Sequence, residues 1–282
     1  MTKFSIVVPS FNYYGFLSEC LLSIHTQSFT DFEVLIADGG STDGSIELIN
    51  DFVLRDSRFS LVSTSDNGQA DALNKAFFYA SGSIHCFLNA DDVFISTDAL
   101  ARAAEAFKEF PHINLISFSG YFIDSSGIFL TRADLFHRFF NTMFAYKFRF
   151  ASLQPSTFWR SSLTSQFPFD CTLNFVFDVD FFNRIILAEF SWLSLDNPIA
   201  GYRLHGNNKS VGVNIDRVRE IRLLQLRFFG VNSYRVYYLS AIINLIRFLL
   251  YLPSFVGVPI LKLLYSIINT LSYLTLFRLP AI

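Results

Sequence analysis

The chain is poor in cysteine and in charge. Its three cysteines, Cys20, Cys86 and Cys171, are far apart and odd in number, which excludes a disulfide framework and a cysteine-based metal spacing. That usage fits a reducing, cytosolic compartment. Charged residues make up only 16% of the 282. The first 200 residues hold 12 Lys+Arg against 22 Asp+Glu, net −10, so they lack the basic face that nucleic-acid binding requires. The apolar run near the start, Phe4-Ser-Ile-Val-Val8 before Pro9, is too short for a signal peptide and leads straight into a strand pattern. Internal repeats and low-complexity segments are absent.

Apolar residues are what the chain has in excess. Half of it is hydrophobic and 35 residues are Phe, too apolar for a disordered chain and rich even for a soluble enzyme. The length suits one large α/β domain with an appendage, or two small domains. Residues 201–282 reverse the charge balance, with 10 Lys+Arg against 2 Asp+Glu, net +8. A basic, strongly apolar end is expected at an anionic membrane surface.

Strand and helix patterns alternate four times over the first 110 residues. Phe4 to Val8 reads as a strand stopped by Pro9, with Phe11 and Asn12 at its carboxyl end, and a helix follows from about Gly15 to Gln27. Phe32-Glu-Val-Leu-Ile-Ala37 is a second strand. It ends in Asp38-Gly-Gly-Ser-Thr-Asp-Gly44, a loop whose small residues allow close backbone approach and which opens a helix of roughly 45–55. The glycines also suit a plain β-to-α turn. Phe59 to Ser63 is a third strand, followed by Asp66 and a helix that presents Asp71, Asn74 and Lys75 within about one turn.

Ile84-His-Cys-Phe-Leu88 is a buried parallel strand that delivers Asn89, Ala90, Asp91 and Asp92 to its carboxyl edge. Clustered side-chain oxygens there suit Mg²⁺ or Mn²⁺, and an Asp-rich turn capping the next helix is the simpler reading. That helix is expected to be capped at Ser96 or Thr97 and to reach about Glu109. Right-handed crossovers then predict a mostly parallel sheet covered on both faces, with the polar loops on one rim. Further on, a strand at 113–119, a hairpin turning at 124–127, a helical segment at 134–150 and an extended Gln154 to Trp159 are expected. Asp178 and Asp180 precede or begin a helix of about 178–189, and a last strand, 199–204, delivers His205-Gly-Asn-Asn-Lys-Ser210.

Val8-Pro-Ser-Phe-Asn12, the Asp38 loop, Asp66-Asn-Gly-Gln-Ala-Asp-Ala-Leu-Asn-Lys75, Leu88-Asn-Ala-Asp-Asp92, Gln154-Pro-Ser-Thr-Phe158, Phe177-Asp-Val-Asp180 and Tyr202-Arg-Leu-His205 occur in that order. The set resembles family 2 glycosyltransferases, inverting enzymes of GT-A fold that use nucleotide sugars, from Phe4 to about Ser210. The resemblance implies a Rossmann-like mixed sheet flanked by helices. It implies that Pro9, Phe11 and Asn12 line the nucleotide pocket, that Asp38 bonds the base, and that Asp66 and Lys75 complete the donor site with Asn89 and Ala90.

By the same resemblance, Asp91 carries the metal that bridges the diphosphate, and His205 closes the donor site beside it as a further ligand. Asn89 stands where the usual Asp-x-Asp pattern has its first acid. It keeps an oxygen but loses a charge, which lowers metal affinity or draws in Asp92. The acceptor hydroxyl needs a carboxylate base; the resemblance points to Asp178, with Asp180 as the rival and a helix-start charge as the role of the other. Lys209 is a candidate phosphate partner or a solvated surface lysine.

The implied activity is sugar transfer to a hydroxyl of a glycan acceptor, expected to be lipid-linked, as it is for many relatives in bacterial surface-polysaccharide assembly. Boundaries follow at 1–212 for the GT-A domain, with a nucleotide-sugar half to about 110 and an acceptor half after it, and 213–282 for a basic, then apolar helical tail. From Val236 to Phe277 the tail is nearly all apolar, and Arg217, Arg219, Arg222, Arg227 and Arg235 precede it. Helices lying in the cytoplasmic interface of the inner membrane, a short hairpin or span, and burial against the catalytic domain or a partner are the three readings. A nucleotidyltransferase is disfavoured because Pro9 to Gly15 contains neither Arg nor Lys. A non-catalytic, membrane-bound nucleotide-sugar-binding scaffold remains the rival function.

Overall fold

A computed structural model describes residues 3–63, 65–133, 153–206, 208–209 and 215–229. The first 110 residues form the expected alternation: β1 (Phe4–Ser10), α1 (Tyr14–His25), β2 (Phe32–Asp38), α2 (Ser45–Arg55), β3 (Phe59–Ser63), α3 (Gln69–Phe78), β4 (Ile84–Phe87), β5 (Val93–Phe94) and α4 (Ala99–Glu109). There follow β6 (Leu115–Ile123), β7 (Phe129–Arg132), a 3₁₀ turn at Gln154–Ser156, β8 (Thr157–Arg160), α5 (Ser161–Gln166), α6 (Phe177–Leu187), β9 (Trp192–Arg203) and α7 (Ile215–Phe229).

One nine-stranded sheet has the order β3-β2-β1-β4-β8-β6-β9-β5, with β7 on β6. β3, β2, β1 and β4 are parallel, β8 runs against both β4 and β6, and β9 is parallel to β6. The sheet is therefore mixed, with a parallel half built from the βα units. β1 is buried at every position, as a strand covered on both faces must be. Its pairing with β4 ends at Val7↔Phe87, whereas its pairing with β2 continues to Ser10↔Asp38. The Val7 carbonyl accepts the Leu88 N–H, so Pro9 addresses the same side two residues on, past the end of the β4 ladder. A proline is tolerated there because no strand needs its missing N–H. The strand order reverses direction between β1 and β4, and the gap opens between their carboxyl ends.

Several local expectations are corrected. Gln154–Ser156 is a 3₁₀ turn rather than extended chain, because the buried Ser156 hydroxyl donates to the Phe118 and Leu153 carbonyls and pulls the segment into a turn. The helix expected to be capped at Ser96 or Thr97 starts at Ala99 after Asp98, without a side-chain cap. The Thr97 carbonyl accepts the Ser28 N–H instead, and the Ser96 carbonyl accepts the Gln27 amide. The last strand begins at Trp192, because β9 pairs with β6 over 192–195 and again over 200–203, with an irregularity between the two stretches. Gly120 makes that pairing possible, since a Cβ there would run into the Ala200 carbonyl and the Leu153 side chain.

The compact unit runs from residue 1 to Ile221, and a second begins at Arg222. The helical segment expected at 134–150 and the apolar tail expected at 236–277 lie outside the described residues. Among the described residues no helix is long and apolar enough to cross a membrane.

Candidate active site

The gap between the ends of β1 and β4 is a cavity of about 430 Å³. Pro9, Ser10 and Phe11 line it at the end of β1, Phe87, Asn89, Ala90 and Asp91 at and just past the end of β4, Asp66, Gly68 and Gln69 at the start of α3, and Asn174, Phe175, Phe177 and Asp178 at the approach to α6 and in its first turn. Asn208 and Lys209 close it beyond β9. Its size is that of a small-molecule site. Phe11 presents an exposed ring there. Gly39 approaches Asp66 and Phe11 so closely that a Cβ would lie 3.0 Å from the Asp66 carboxylate. Ser10 is buried and its hydroxyl has no partner, so the cavity wall offers a polar group that a ligand can satisfy.

Other residues singled out in the sequence stand behind this wall. Asp38 is fully buried and accepts the Gly40 and Ser41 N–H groups at 3.0 and 2.7 Å and the Ser41 hydroxyl at 2.7 Å, shaping its own loop. Asn12 adopts a left-handed φ of 56° and joins the same loop, accepting the Thr42 N–H at 2.9 Å. Lys75 donates to the Ser65 carbonyl and pairs with Asp71 at 2.9 Å, away from the cavity lining.

The acids after β4 divide their work. Asp91 lines the cavity and accepts from Asn208 Nδ2 at 3.1 Å, with His205 Nε2 3.0 Å from the same oxygen. His205 packs against the Phe16 ring at 4.6 Å, which fixes its plane. Asp92 is buried behind, its carboxylate accepting the Arg203 N–H at 2.9 Å and the Asn89 amide at 3.2 Å. Burial, and then the neighbouring Asp91 charge, raise its pKa well above the usual carboxylate range. Asp92 is thus committed to holding the chain, and Asn89 Oδ1 accepts Gln69 Nε2 at 2.7 Å. Burial likewise raises the Tyr13 pKa, assisted by Asp91 and Asp92.

Among the described residues no three His, Cys, Asp or Glu side chains cluster as a metal site. The donor set nevertheless fits a divalent cation shared with a ligand. Asp91 and His205 supply one carboxylate and one imidazole that already converge, and such cations are often held by one or two protein groups plus substrate phosphates.

On the other wall, Asp178 sits in the first turn of α6, half-buried and facing the cavity. Burial raises its pKa to about 6. Its Oδ1 accepts the Val179 N–H at 2.8 Å. Asp180, fully buried, pairs with Arg184 at 2.7 Å and does not line the cavity.

Four residues carry parts that sequence reasoning did not assign. Gln154 accepts the Asn89 amide and donates to the Phe87 carbonyl at 2.7 Å, fixing the β4 outlet. Asn208 joins Asp91 to the Arg203 carbonyl. Glu220 binds the backbone before α6. Arg203, with no exposure, donates to the Asp91 carbonyl at 2.8 Å and to Glu19 at 2.6 Å, and its guanidinium lies 5.2 Å from the Phe16 ring centroid. Gln154 and Arg203 lie within quoted motifs, but only their tertiary partners reveal their work.

The model of glycosyl transferase family 2 matches residues 5–181. This chain belongs to that family. A PGL/p-HBAD biosynthesis glycosyltransferase of Mycobacterium bovis is 37% identical over 114 residues, covering 40% of this chain and 44% of that protein. An uncharacterized glycosyltransferase of Haemophilus influenzae is 39% identical over 103 residues, covering 36% and 41%. The matched stretch thus spans less than half the length of these relatives. Among solved structures, the mannosyltransferase PcManGT of Pyrobaculum calidifontis, in complex with GDP-Man and Mn²⁺, is similar with a TM-score of 0.61 at 19% identity, covering 73% of this chain and 58% of that one. S. aureus TarS 1-349, in complex with UDP-GlcNAc, gives 0.60 at 19%, covering 84% and 69%. Both show the same GT-A fold.

Replacing Arg203 with Leu takes a donor from the half-exposed Glu19 carboxylate and from three backbone carbonyls, of which Asp124 keeps the Gly127 N–H. Urea unfolding should show a loss of about 2 kcal/mol from the buried carbonyls left unsatisfied; a change under about 0.5 kcal/mol would deny the residue this role.

Proposed function

We propose that the chain is an inverting glycosyltransferase that moves a sugar from a nucleoside-diphosphate donor to a hydroxyl of a lipid-linked glycan acceptor, at the cytoplasmic face of the cell membrane. The observation that carries the reading is a single cavity lined by Asp66 and Asp91 on the strand-end side and by Asp178 on the helix side. Phe11, Pro9, Gly39 and Asp66 suit a nucleoside, with Asp38 holding the loop that shapes the pocket. Asp91 and His205 would hold Mn²⁺ or Mg²⁺, and Lys209 stands at the rim as a phosphate partner. When bound, the cation supplies Lewis-acid stabilisation of the diphosphate leaving group.

Asp178 takes the proton from the acceptor hydroxyl as its oxygen forms the new bond to the anomeric carbon and the bond to the diphosphate breaks. A carboxylate with a pKa of about 6 is ionised at neutral pH yet basic enough to accept that proton. Asp180 is engaged by Arg184 and serves the helix. The lipid-linked acceptor and the membrane location rest on the composition of 201–282, basic at net +8 and rich in apolar residues.

Calorimetry with UDP-, GDP- and dTDP-sugars, with and without Mn²⁺, should show metal-dependent binding of one nucleotide class. Asp91→Asn should weaken it at least about tenfold. Absence of binding to every donor would favour a scaffold without transferase activity.

For wild type, kcat/KM should fall below a pH of about 6 as Asp178 takes up a proton. Asp178→Asn should cut transfer by about 10²–10⁴-fold while donor binding persists. The folded-state pKa lies above the usual 3.8, so ionising this group opposes folding: its effect is absent below pH 3.8 and complete once the pH has risen past about 6. The same substitution should therefore raise stability at neutral pH by roughly 1–2 kcal/mol, after allowance for partial solvent contact. Transfer at the wild-type rate by Asp178→Asn would remove it as the base.

Finally, the full chain should sediment with anionic vesicles and glycosylate a lipid-linked acceptor in them faster than in neutral vesicles. Equal rates at both surfaces would count against the membrane reading.

A further inference from the structure

Glu220 lies on α7, outside the 5–181 stretch matched by the family model, yet its carboxylate is buried beside the cavity wall. Oε1 accepts the Asn174 N–H at 2.8 Å, and Oε2 accepts the Phe175 and Val176 N–H groups at 2.7 and 3.3 Å. Three successive backbone donors therefore converge on one anion. Val176 is the cap residue of α6, and its side chain makes no cap hydrogen bond. A helix start leaves orphan N–H groups and a partial positive charge. The Glu220 carboxylate serves that position from a distant part of the chain. Asn174 and Phe175 line the cavity, and Asp178 follows Val176 by two residues.

We infer that Glu220 is a positioning residue for the base: it fixes the 174–176 segment and so sets where the first turn of α6 presents Asp178 to the acceptor hydroxyl. The inference rests on Asp178 being the base. A base must stand within hydrogen-bond reach of the proton it takes, and a misplacement of about 1 Å costs on the order of a hundredfold in rate. Other contacts of α6 do not replace this link. Asp180 and Arg184 pair within the helix, and Arg184 also donates to the Pro168 carbonyl, beyond the cavity lining. The Asp180 N–H reaches the Val176 carbonyl at 2.9 Å as the first bond of the helix, while the three N–H groups of 174–176 are the ones that Glu220 binds.

Glu220→Gln keeps one acceptor oxygen but turns an NH₂ group toward backbone N–H donors. The expected result is a fall in kcat of about tenfold to a hundredfold, with the donor dissociation constant within about threefold of wild type. Arg55→Gln, in an exposed ion pair with Asp51 on α2, should keep the wild-type rate. The decisive comparison is the double variant with Asp178→Asn. If Glu220 acts through Asp178, the double variant is no slower than Asp178→Asn alone.

A wild-type kcat for Glu220→Gln overturns the inference, and so does an equal fold-loss with and without Asp178, which marks a general structural role. If Asp178→Asn itself transfers at the wild-type rate, the base assignment has failed, and that result is read independently of any Glu220 variant. Should Glu220→Gln not fold, Glu220→Asp keeps the charge, shortens the reach and is judged by the same comparison.

Discussion

The Asp92 carboxylate, with only 1% of its residue exposed, accepts the N–H of Arg203 and so ties the turn after β4 to the end of β9. Placing a carboxylate there is costly, as its raised pKa records, and the cost is offset by hydrogen bonds and by the nearby guanidinium. Arg203 extends the tie to Glu19 on α1 and to the carbonyls of Asp91, Asp124 and Ser125. With Asp92 and Arg203 fixed, Asp91 is left facing the cavity, and the chain leaving β9 brings His205 and Asn208 onto its carboxylate. The pairing of an acid from one half of the sheet with a histidine from the other is thus a consequence of a buried link between them.

The same link explains why an amide can stand at position 89. Asn89 Nδ2 donates both to Asp92 and to Gln154 Oε1, while its oxygen accepts from Gln69. A carboxylate in that place would face two acceptors and a second buried charge. The neutral side chain satisfies all three neighbours and leaves Asp91 as the only carboxylate of this turn that lines the cavity. Departure from an acid-x-acid pattern is therefore consistent with a packed amide network, in which satisfied partners fix one arrangement.

The parallel half of the fold was legible because its signals are local. β1 and β2 are short β-branched runs, and the helix from Ser45 to Arg55 was bounded correctly from its glycine loop and its apolar spacing. The cavity-lining places of Pro9, Phe11, Asp66, Asn89, Ala90, Asp91, Asp178 and Lys209 follow from strand ends and helix starts. Asn12, Asp38, Lys75, Asp92 and His205 lie beside or behind that lining. Sequence alone does not separate the two groups, since both sit in the same polar loops. Arg203 and Glu220 were invisible for another reason. Arg203 stands in the Tyr202-Arg-Leu-His205 run without a role of its own, Glu220 falls in no motif, and their partners lie far away in the chain. The turn at Gln154 was missed similarly, because Ser156 bonds Phe118 across the sheet.

The surplus of phenylalanine also finds part of its explanation in the site. Phe169 stacks on Phe181 at 4.4 Å, Trp159 meets Phe181 at 5.2 Å, and Phe87 and Phe177 lie 6.3 Å apart at the cavity floor. These rings join the end of β4 to α6 across the antiparallel β8, so one aromatic cluster supports both walls of the cavity. It also supplies little polar solvation at the start of α6, where Asp178 resides. Burial among such groups disfavours the ionised carboxylate. The cluster that holds the helix against the sheet includes Phe177, the neighbour of Asp178, so the packing that seats α6 also places its first-turn carboxylate where burial raises its pKa.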